Sequence, residues 1–261
     1  MNLKKITTLC IAFLIFFSSD LCAQTCSSLI PVVVTQVIDG DTIVVQMPDG
    51  KSERVRYLLI DTPEIHHPRR KKEELGELAF RRNRELLVSG EAYLEFDIEK
   101  RDRYNRLLAY IWSKNKQGFL LINAELIRNG LALPLVIAPN EKYIHTIQKA
   151  CSEAKKTQVG LWKKASRRLF TPEEIWTFLP FIRGHFILVA ATIKDISTTQ
   201  SRTLFKDGTF SLIIYRNNMD RFRHFSLREG NQILIMGKIY SSYKGSEIIL
   251  SDPSQIILIK P

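Results

Sequence analysis

Short apolar runs separated by turn residues fill the chain from Val32 to Ile60. The three runs read VVVTQVI, TIVVQM and ERVRYLLI, and the pairs Asp39-Gly40 and Asp49-Gly50 stand between them. An Asp-Gly pair between alternating apolar residues is a strong signal for a β-hairpin. The pattern therefore predicts three consecutive strands joined by two tight turns.

After Pro63 the apolar residues follow helical spacing. The segment EELGELAFRRNRELLVSG predicts a helix that stops near Gly90. Two strands, AYLEFDI and LLAYIW, come next, followed by helices in LLINAELIRNGLA and EKYIHTIQKACSEAKKTQ, the latter with Asn140 as a candidate cap. This order predicts an α+β domain, in which three helices pack on a five-stranded β-barrel.

The second half of the chain has a different pattern. Residues 163–183 are basic and contain Pro172 and Pro180, which is typical of a linker. Past Gly184 five apolar runs follow in fewer than 80 residues: HFILVAATIK, TFSLIIYR, NQILIMGKIY, SEIILS and SQIILIK. They predict a second small β-barrel over 184–261, after a first domain over 24–162.

The N-terminal residues predict export. Lys4 and Lys5 precede an apolar run over residues 6–17, and small or polar residues continue to Ala23. This is the pattern of a signal peptide over 1–23, cleaved after Ala23. The run is shorter than the roughly 20 residues that span a bilayer. We therefore expect a secreted or periplasmic protein, which touches a membrane only if this segment stays uncleaved.

Two cysteines, Cys26 and Cys151, remain once the signal segment is set aside. An oxidising destination permits a disulfide between them, and two thiols that never meet are the alternative. The sequence leaves both open.

The formal net charge is +11 and the sequence pI is near 9.5. A surplus of this size favours polyanions, with nucleic acid ahead of an anionic membrane surface. A basic protein with no polyanionic partner is the alternative. The sequence implies no stable protein partner.

Arg56 lies among apolar residues of the third predicted strand. Because residues two apart in a strand share a face, its side chain points the same way as Leu58 and Ile60. A guanidinium in such surroundings needs an anion. A protein carboxylate and a bound phosphate both satisfy this requirement, and the strand pattern does not choose between them.

Four carboxylates surround the same strands. Asp39 and Asp41 flank the first hairpin turn, and Asp61 and Glu64 follow the third strand on either side of a Thr-Pro pair. If the strands are neighbours, these groups meet at one rim of the barrel, and such a cluster needs a cation or protonation. Oxygen ligands without His or Cys suit Ca²⁺ or Mg²⁺. Acids that each solvate a separate turn are the alternative.

The ordered set of these motifs resembles the staphylococcal nuclease (thermonuclease) family. The resemblance is carried by VIDGDTIVV, RYLLIDTPE with Arg56 ahead of it, DRYNRLLAYIW, INAELIRNGLA and VGLW, and covers Val32 to Trp162. It implies an OB-fold-type barrel and a Ca²⁺-dependent endonuclease that hydrolyses phosphodiester bonds of DNA, with RNA left open. A nucleic-acid-binding protein without catalysis is the alternative.

The resemblance also implies roles for single residues. Asp41, Asp61 and the Thr62 carbonyl match the ligands of one Ca²⁺ ion, with another divalent cation left open. The other matches are Glu64 as the general base, Arg56 and Arg106 as ligands of the scissile phosphate, and Arg103 and Tyr104 as residues near the nucleotide phosphate.

Two features depart from the family pattern. The segment LALPLVIAPN is aliphatic where the family carries tyrosines that stack on a base. His66 and His67 follow Glu64, either as an extra metal ligand or proton carrier or as part of an exposed basic loop.

The second barrel resembles OB-fold modules that bind nucleic acid strands through basic grooves and aromatic platforms. Its candidate binding residues are Tyr215, Arg216, Phe222, Arg223, Tyr240 and Tyr243.

Overall fold

The computed structural model describes residues 29–66, 72–243 and 245–261. The predicted signal peptide, Cys26 and His67 lie outside these residues. Within them, no helix has the length and apolar character needed to cross a membrane.

Five strands close the first barrel. β1 (Ile30–Asp39) pairs with β2 (Thr42–Gln46) and with β5 (Glu91–Glu95), and β2 pairs with β3 (Ser52–Tyr57). β5 pairs with β6 (Leu107–Asn115), and all these pairs are antiparallel. A parallel pairing of β3 with β6 completes the circle. The predicted five-stranded barrel is confirmed, and both Asp-Gly pairs lie in its hairpin turns.

The third predicted strand is shorter than expected, because β3 ends at Tyr57. A turn at Leu58-Leu59, with a positive φ of 64° at Leu59, redirects the chain into β4 (Ile60–Asp61). β4 pairs with β8 (Leu133–Pro134) and not with the barrel. The turn places Asp61 beside the end of β3 instead of beyond it.

Helices cover the first barrel at α1 (Gly76–Leu86), α2 (Ile122–Arg128) and α3 (Ile144–Thr157). These three were predicted, whereas β7 (Gly118–Leu121) and α4 (Gly160–Ala165) were not. The prediction that Asn140 caps α3 is wrong. Its side chain instead donates to the Glu99 carbonyl and accepts from the Glu99 amide, and α3 begins after Tyr143 without a side-chain cap.

The predicted linker is largely ordered. β9 (Leu169–Phe170) pairs with the first strand of the second barrel, and α5 (Pro172–Ile182) packs on that barrel. Thr171 begins α5 with a capping box, because its hydroxyl accepts from the Glu174 amide and the Glu174 carboxylate accepts from the Thr171 amide. Pro172, which the sequence analysis took as a sign of a linker, is the favoured first residue of this helix.

The second barrel repeats the connectivity of the first. Its strands are β10 (Phe186–Thr192), β11 (Asp195–Thr198), β12 (Arg202–Asp207), β13 (Phe210–Tyr215), β14 (Gln232–Ser242), β15 (Gly245–Leu250) and β16 (Ile256–Lys260). β10 and β11 act as one bent strand, since β10 pairs with β14 while β11 pairs with β12. The circle continues from β12 to β13 and, through a parallel pairing, to β15 and back to β14.

The strand membership of this barrel differs from the prediction. The segment RTLFKD, now β12, was missed, and SQIILIK, now β16, pairs only with β14 outside the circle. Phe222, a candidate for stacking on bases, is 3% exposed in the barrel core, so its assignment to a binding surface is wrong.

The two barrels share an apolar contact. Phe186 of β10 and Met236 of β14 belong to the buried cluster that forms the core of the first barrel. Most other buried apolar residues of the second barrel form a cluster of their own. The outer face of β10 and β14 is therefore packed against the first barrel.

Candidate active site

The first hairpin turn brings Asp41 to the rim of the barrel. A β-carbon at Gly40 would lie 2.7 Å from Thr62 Oγ1 and 2.8 Å from Ala79 Cβ, so only glycine lets the turn approach these residues. The main chain of Asp41 is also fixed, because its carbonyl accepts from the Tyr57 amide at 2.9 Å. The Asp-Gly-Asp motif thus sets both the turn and the position of its second acid.

Asp41 is joined to the segment that follows β4. Its Oδ2 accepts from the Thr62 amide at 2.8 Å and from Thr62 Oγ1 at 2.9 Å, while Oδ1 accepts from Thr42 Oγ1 at 3.1 Å. Asp41 is only 5% exposed. The structure therefore brings Asp41, Asp61 and Thr62 together at one rim, as the motif order predicted.

Arg56 lies between the two carboxylates. Its Nη2 is 2.8 Å from Asp61 Oδ1 and 3.2 Å from Asp41 Oδ2. Its Nη1 donates to the carbonyls of Tyr57 and Ile60 at 2.9 and 2.8 Å. Of the two anions that the sequence left open for Arg56, the structure provides protein carboxylates; the role in phosphate binding stays a prediction.

Asp39 and Glu64 form a second carboxylate pair beside this cluster. Burial, the hydrogen bond shared with Glu64 and the nearby charge of Asp41 raise the pKa of Asp39 to about 8. Asp39 Oδ1 also accepts from the Gly40 amide at 2.6 Å. The raised pKa favours the protonated form of Asp39 beside Glu64, as expected where carboxylates converge.

The main chain of Glu64 is anchored to Glu73. The Glu64 amide donates to Glu73 Oε2 at 3.0 Å, and the Glu73 amide donates to the Glu64 carbonyl at 2.8 Å. These two bonds hold residues 64 and 73 next to each other. The position of the predicted general base therefore depends on Glu73, a residue that the sequence analysis did not single out.

The turn before β6 gathers the other predicted phosphate ligands. Asp102 Oδ2 accepts from Arg106 Nε at 2.7 Å, and its Oδ1 accepts from the amides of Tyr104 and Arg106. Although burial opposes ionisation, the bonds from Arg106 hold the pKa of Asp102 below its usual range. Tyr104 is 65% exposed, and the guanidinium carbons of Arg103 and Arg106 lie 4.8 and 5.5 Å from the centre of its ring.

Arg106 directly precedes the strand that pairs with the strand of Arg56. In the parallel pairing of β3 with β6, Arg56 is the partner of Leu108, and Arg106 stands just before Leu107, the first residue of β6. The site thus has one guanidinium among the carboxylates, and a second at the start of the adjacent strand.

Two buried asparagines support the site, and the sequence analysis missed both. Asn83 Oδ1 accepts from Tyr57 Oη at 2.8 Å, and its Nδ2 donates to the Asp39 carbonyl at 3.0 Å. Asn123 Nδ2 donates to the Leu58 carbonyl at 2.8 Å and so holds the turn that positions Asp61. Each interrupts the apolar face of a helix, and that interruption was the available signal.

The oxygen atoms suit a small hard cation. Asp41 Oδ2 and Asp61 Oδ1 both lie within 3.2 Å of Arg56 Nη2, so they bracket a position that already carries positive charge. Across residues 29–66, 72–243 and 245–261, no group of three or more His, Cys, Asp or Glu side chains is arranged to bind a metal. The predicted ligands are two carboxylates and one main-chain carbonyl, so they include fewer acidic side chains than such a group. Its chemistry fits a divalent cation with oxygen ligands.

His66 and Cys151 are two further residues that the sequence singles out. His66 is exposed. Cys151 is buried, with Sγ 3.3 Å from Ser254 Oγ; since Cys26 is not among the described residues, the disulfide stays a prediction.

Comparison with known proteins identifies relatives of the first barrel. The family model described as "Staphylococcal nuclease homologue" matches residues 54–164. Endonuclease YncB of Bacillus subtilis is 42% identical over 139 residues, which are 52% of this chain and 64% of YncB. Thermonuclease of Staphylococcus intermedius is 38% identical over 132 residues, which are 51% of this chain and 76% of that protein.

A further relative, the SPbeta prophage-derived endonuclease YokF of Bacillus subtilis, is 42% identical over 138 residues, 52% of this chain and 45% of YokF. The chain therefore spans less than two thirds of YncB and of YokF. The second barrel lies beyond the last residue of the family model.

Proposed function

Because this chain belongs to the staphylococcal nuclease family, we propose that it is a divalent-metal-dependent nuclease that hydrolyses phosphodiester bonds of DNA. The observation that carries the proposal is the single cluster formed by Asp41, Arg56 and Asp61, with Glu64 beside it. RNA is the second substrate to test.

In the proposed mechanism, Asp41, Asp61 and the Thr62 carbonyl hold the cation, and Ca²⁺ is the ion that we expect. Once bound, such an ion polarises the phosphoryl group. Glu64 accepts the proton of the attacking water, a step typically worth about 10²–10⁴-fold in rate.

Arg56 and Arg106 stabilise the charge that builds on the non-bridging phosphate oxygens. Arg56 reaches the phosphate only after it leaves its carboxylate partners. A cation held by Asp41 and Asp61 would take up the same oxygens, which would weaken their contacts with Arg56. Arg103 and Tyr104 bind the neighbouring nucleotide phosphate from the exposed turn before β6.

The test compares cleavage of plasmid DNA and of RNA with Ca²⁺ and with a chelator. We expect cleavage that the chelator abolishes and that Arg56→Ala reduces strongly. Arg54→Ala is the matched control, since Arg54 is exposed on the same strand. Cleavage that persists with chelator or in Arg56→Ala overturns the mechanism. Salt-sensitive DNA binding without turnover in any divalent cation identifies a binding protein without catalysis.

We also propose that the second barrel binds the substrate strand. Supporting this, residues 183–261 contain 11 Lys and Arg against 6 Asp and Glu, and Arg202 pairs across the strands with the exposed Tyr215. Arg202→Ala is expected to raise KM for long DNA while leaving KM for a dinucleotide substrate unchanged. If Arg202→Ala and the unsubstituted protein have the same KM for long DNA, this role is contradicted.

Export is a separate proposal, supported by the N-terminal pattern of Lys4, Lys5 and the apolar run. Protein recovered from the medium or periplasm is expected to begin at Gln24. An intact N-terminus in the cytoplasmic fraction alone contradicts it.

A further inference from the structure

The second barrel places a charged side chain, that of Lys238, beside the residue that anchors the main chain of Glu64. Along β14, Ile235 and Ile239 point into the core of the second barrel, whereas Met236 belongs to the core of the first. Alternation places Lys238 and Tyr240 on the same outward face as Met236. On this face of β14, Lys238 therefore follows Met236, which packs against the first barrel.

Lys238 forms an ion pair with Glu73 Oε2, and the two side chains are only 13% and 7% exposed. Its Nζ also lies 5.3 Å from the centre of the Tyr240 ring. A buried ion pair contributes little net stability, but loss of one partner leaves an uncompensated charge and is costly. The pair thus makes the position of Glu73 depend on a residue 165 positions further along the chain.

Glu73 Oε2 is the same atom that accepts the amide of Glu64. One oxygen therefore connects the second barrel to the main chain of the predicted general base. Without the ammonium group, the nearly buried Glu73 carboxylate has lost its cation partner, which favours rotation of its side chain towards solvent. That movement weakens its bond to the Glu64 amide.

A second contact supports the same region from the other side. Ser251 Oγ donates to the carbonyl of Pro134 at 3.0 Å, and Pro134 is the β8 partner of Ile60, next to Asp61. The second barrel thus contacts the strand behind Asp61 as well as the loop that follows Glu64.

We propose that Lys238 is a positioning residue for Glu64, which makes the second barrel part of the active-site architecture in addition to any role in substrate capture. The proposal rests on the proposed role of Glu64 in catalysis. In this proposal Lys238 does not contact the substrate, because its ammonium group forms an ion pair with Glu73.

The test uses the full chain, three single variants and one double variant. Lys238→Met removes the charge at similar size, and Lys238→Arg restores it. Lys194→Met is the matched control, because Lys194 forms an ion pair with the buried carboxylate of Asp207 within the second barrel. The measurements are kcat and KM on an oligonucleotide, and hydrogen exchange of residues 62–66.

We expect Lys238→Met to lower kcat about 10- to 100-fold with KM within about twofold, as for a small displacement of a catalytic group. Lys238→Arg should return kcat to within about threefold of the unsubstituted protein, and Lys194→Met should leave it unchanged. The amide of Glu64 should exchange faster in Lys238→Met alone. Adding Glu73→Gln to Lys238→Met should recover part of kcat, because the glutamine carbonyl accepts the Glu64 amide without needing a cation.

An unchanged kcat in Lys238→Met overturns the proposal. So does a rise in KM alone, which assigns Lys238 to substrate binding, or an equal loss in Lys194→Met, which assigns the effect to the stability of the second barrel. If the unsubstituted protein cleaves no nucleic acid, the proposed function fails. Hydrogen exchange then decides the inference separately, and unchanged protection of the Glu64 amide in Lys238→Met overturns it.

Discussion

Arg56 Nη2 lies 2.8 Å from Asp61 Oδ1, so the guanidinium occupies the space between the carboxylates that we assign to a cation. The same atom is 3.2 Å from Asp41 Oδ2. A divalent ion held by these carboxylates would share both oxygens with Arg56, and we propose that the guanidinium would then be available to phosphate. We therefore expect cation binding to favour substrate binding.

The first prediction concerns stabilisation by the cation. Without nucleic acid, Ca²⁺ at about 100 times its Kd should raise the free energy of unfolding by about 2.7 kcal/mol through linkage. Asp41→Asn should remove most of this gain, because it removes a charged ligand. Glu77→Gln, at an exposed acid of α1, should retain it. Thermal denaturation with and without Ca²⁺ measures the effect, and equal shifts in both variants contradict the ligand assignment.

The second prediction follows from the pKa of Asp39, which is raised from 3.8 in the unfolded chain to about 8 in the folded one. The folded state then binds more protons between these values, so this group lowers stability as pH rises from about 4 to about 8, with little further change above. Asp39→Asn removes the penalty. In chelator, it should match the unsubstituted protein at pH 4 and exceed it by at least about 1 kcal/mol at pH 9.

Urea denaturation at the two pH values measures this difference. A stability difference between Asp39→Asn and the unsubstituted protein that stays constant from pH 4 to pH 9 contradicts the raised pKa.

The third prediction tests the support of the hairpin turn. Asn83→Leu should lower the free energy of unfolding by about 2–4 kcal/mol, because it leaves the Tyr57 hydroxyl and the Asp39 carbonyl buried without their partner. Tyr57→Phe in the same chain should recover part of the loss. Arg81→Ala, at an exposed position of the same helix, should change stability by less than about 0.5 kcal/mol. A loss that Tyr57→Phe does not reduce argues against the hydroxyl–amide pairing.

The fourth prediction concerns the exposed turn before β6. Tyr104→Phe keeps the ring beside the two arginines but removes the hydroxyl that accepts from Arg103 at 2.8 Å. KM should rise about two- to tenfold with kcat within about twofold, as expected for one lost hydrogen bond near the substrate. Steady-state kinetics on an oligonucleotide separates the two constants. A fall in kcat with constant KM places Tyr104 in the chemical step instead.

Local sequence patterns predict the first barrel well because its turns carry their own signals. Asp39-Gly40 fixes a hairpin through residues that adopt the turn readily, and an apolar run stands on either side of it. The turn at Leu58-Leu59 has no such signal, since leucine rarely adopts positive φ. Distant groups hold it: Asn123 bonds to the Leu58 carbonyl, and the Leu135 amide bonds to the Leu59 carbonyl at 3.0 Å.

The same contrast between local signals and distant contacts applies to the active site. The motifs identify Asp41, Asp61 and Glu64 because each lies next to a turn or a strand end. The link between Glu73 and Lys238 joins residues in different barrels, and no periodicity within either segment encodes it. In the second barrel, β12 was missed because Thr203 and Asp207 interrupt its inward apolar positions.

We propose above that Glu64 accepts the proton of the attacking water. The direct measurement is the single-turnover rate of oligonucleotide cleavage by Glu64→Gln at saturating Ca²⁺, together with the Kd for the same oligonucleotide. We predict a rate about 10²–10⁴-fold below that of the unsubstituted protein and of Glu77→Gln, with Kd within about threefold. Cleavage by Glu64→Gln at the unsubstituted rate would exclude Glu64 as the general base.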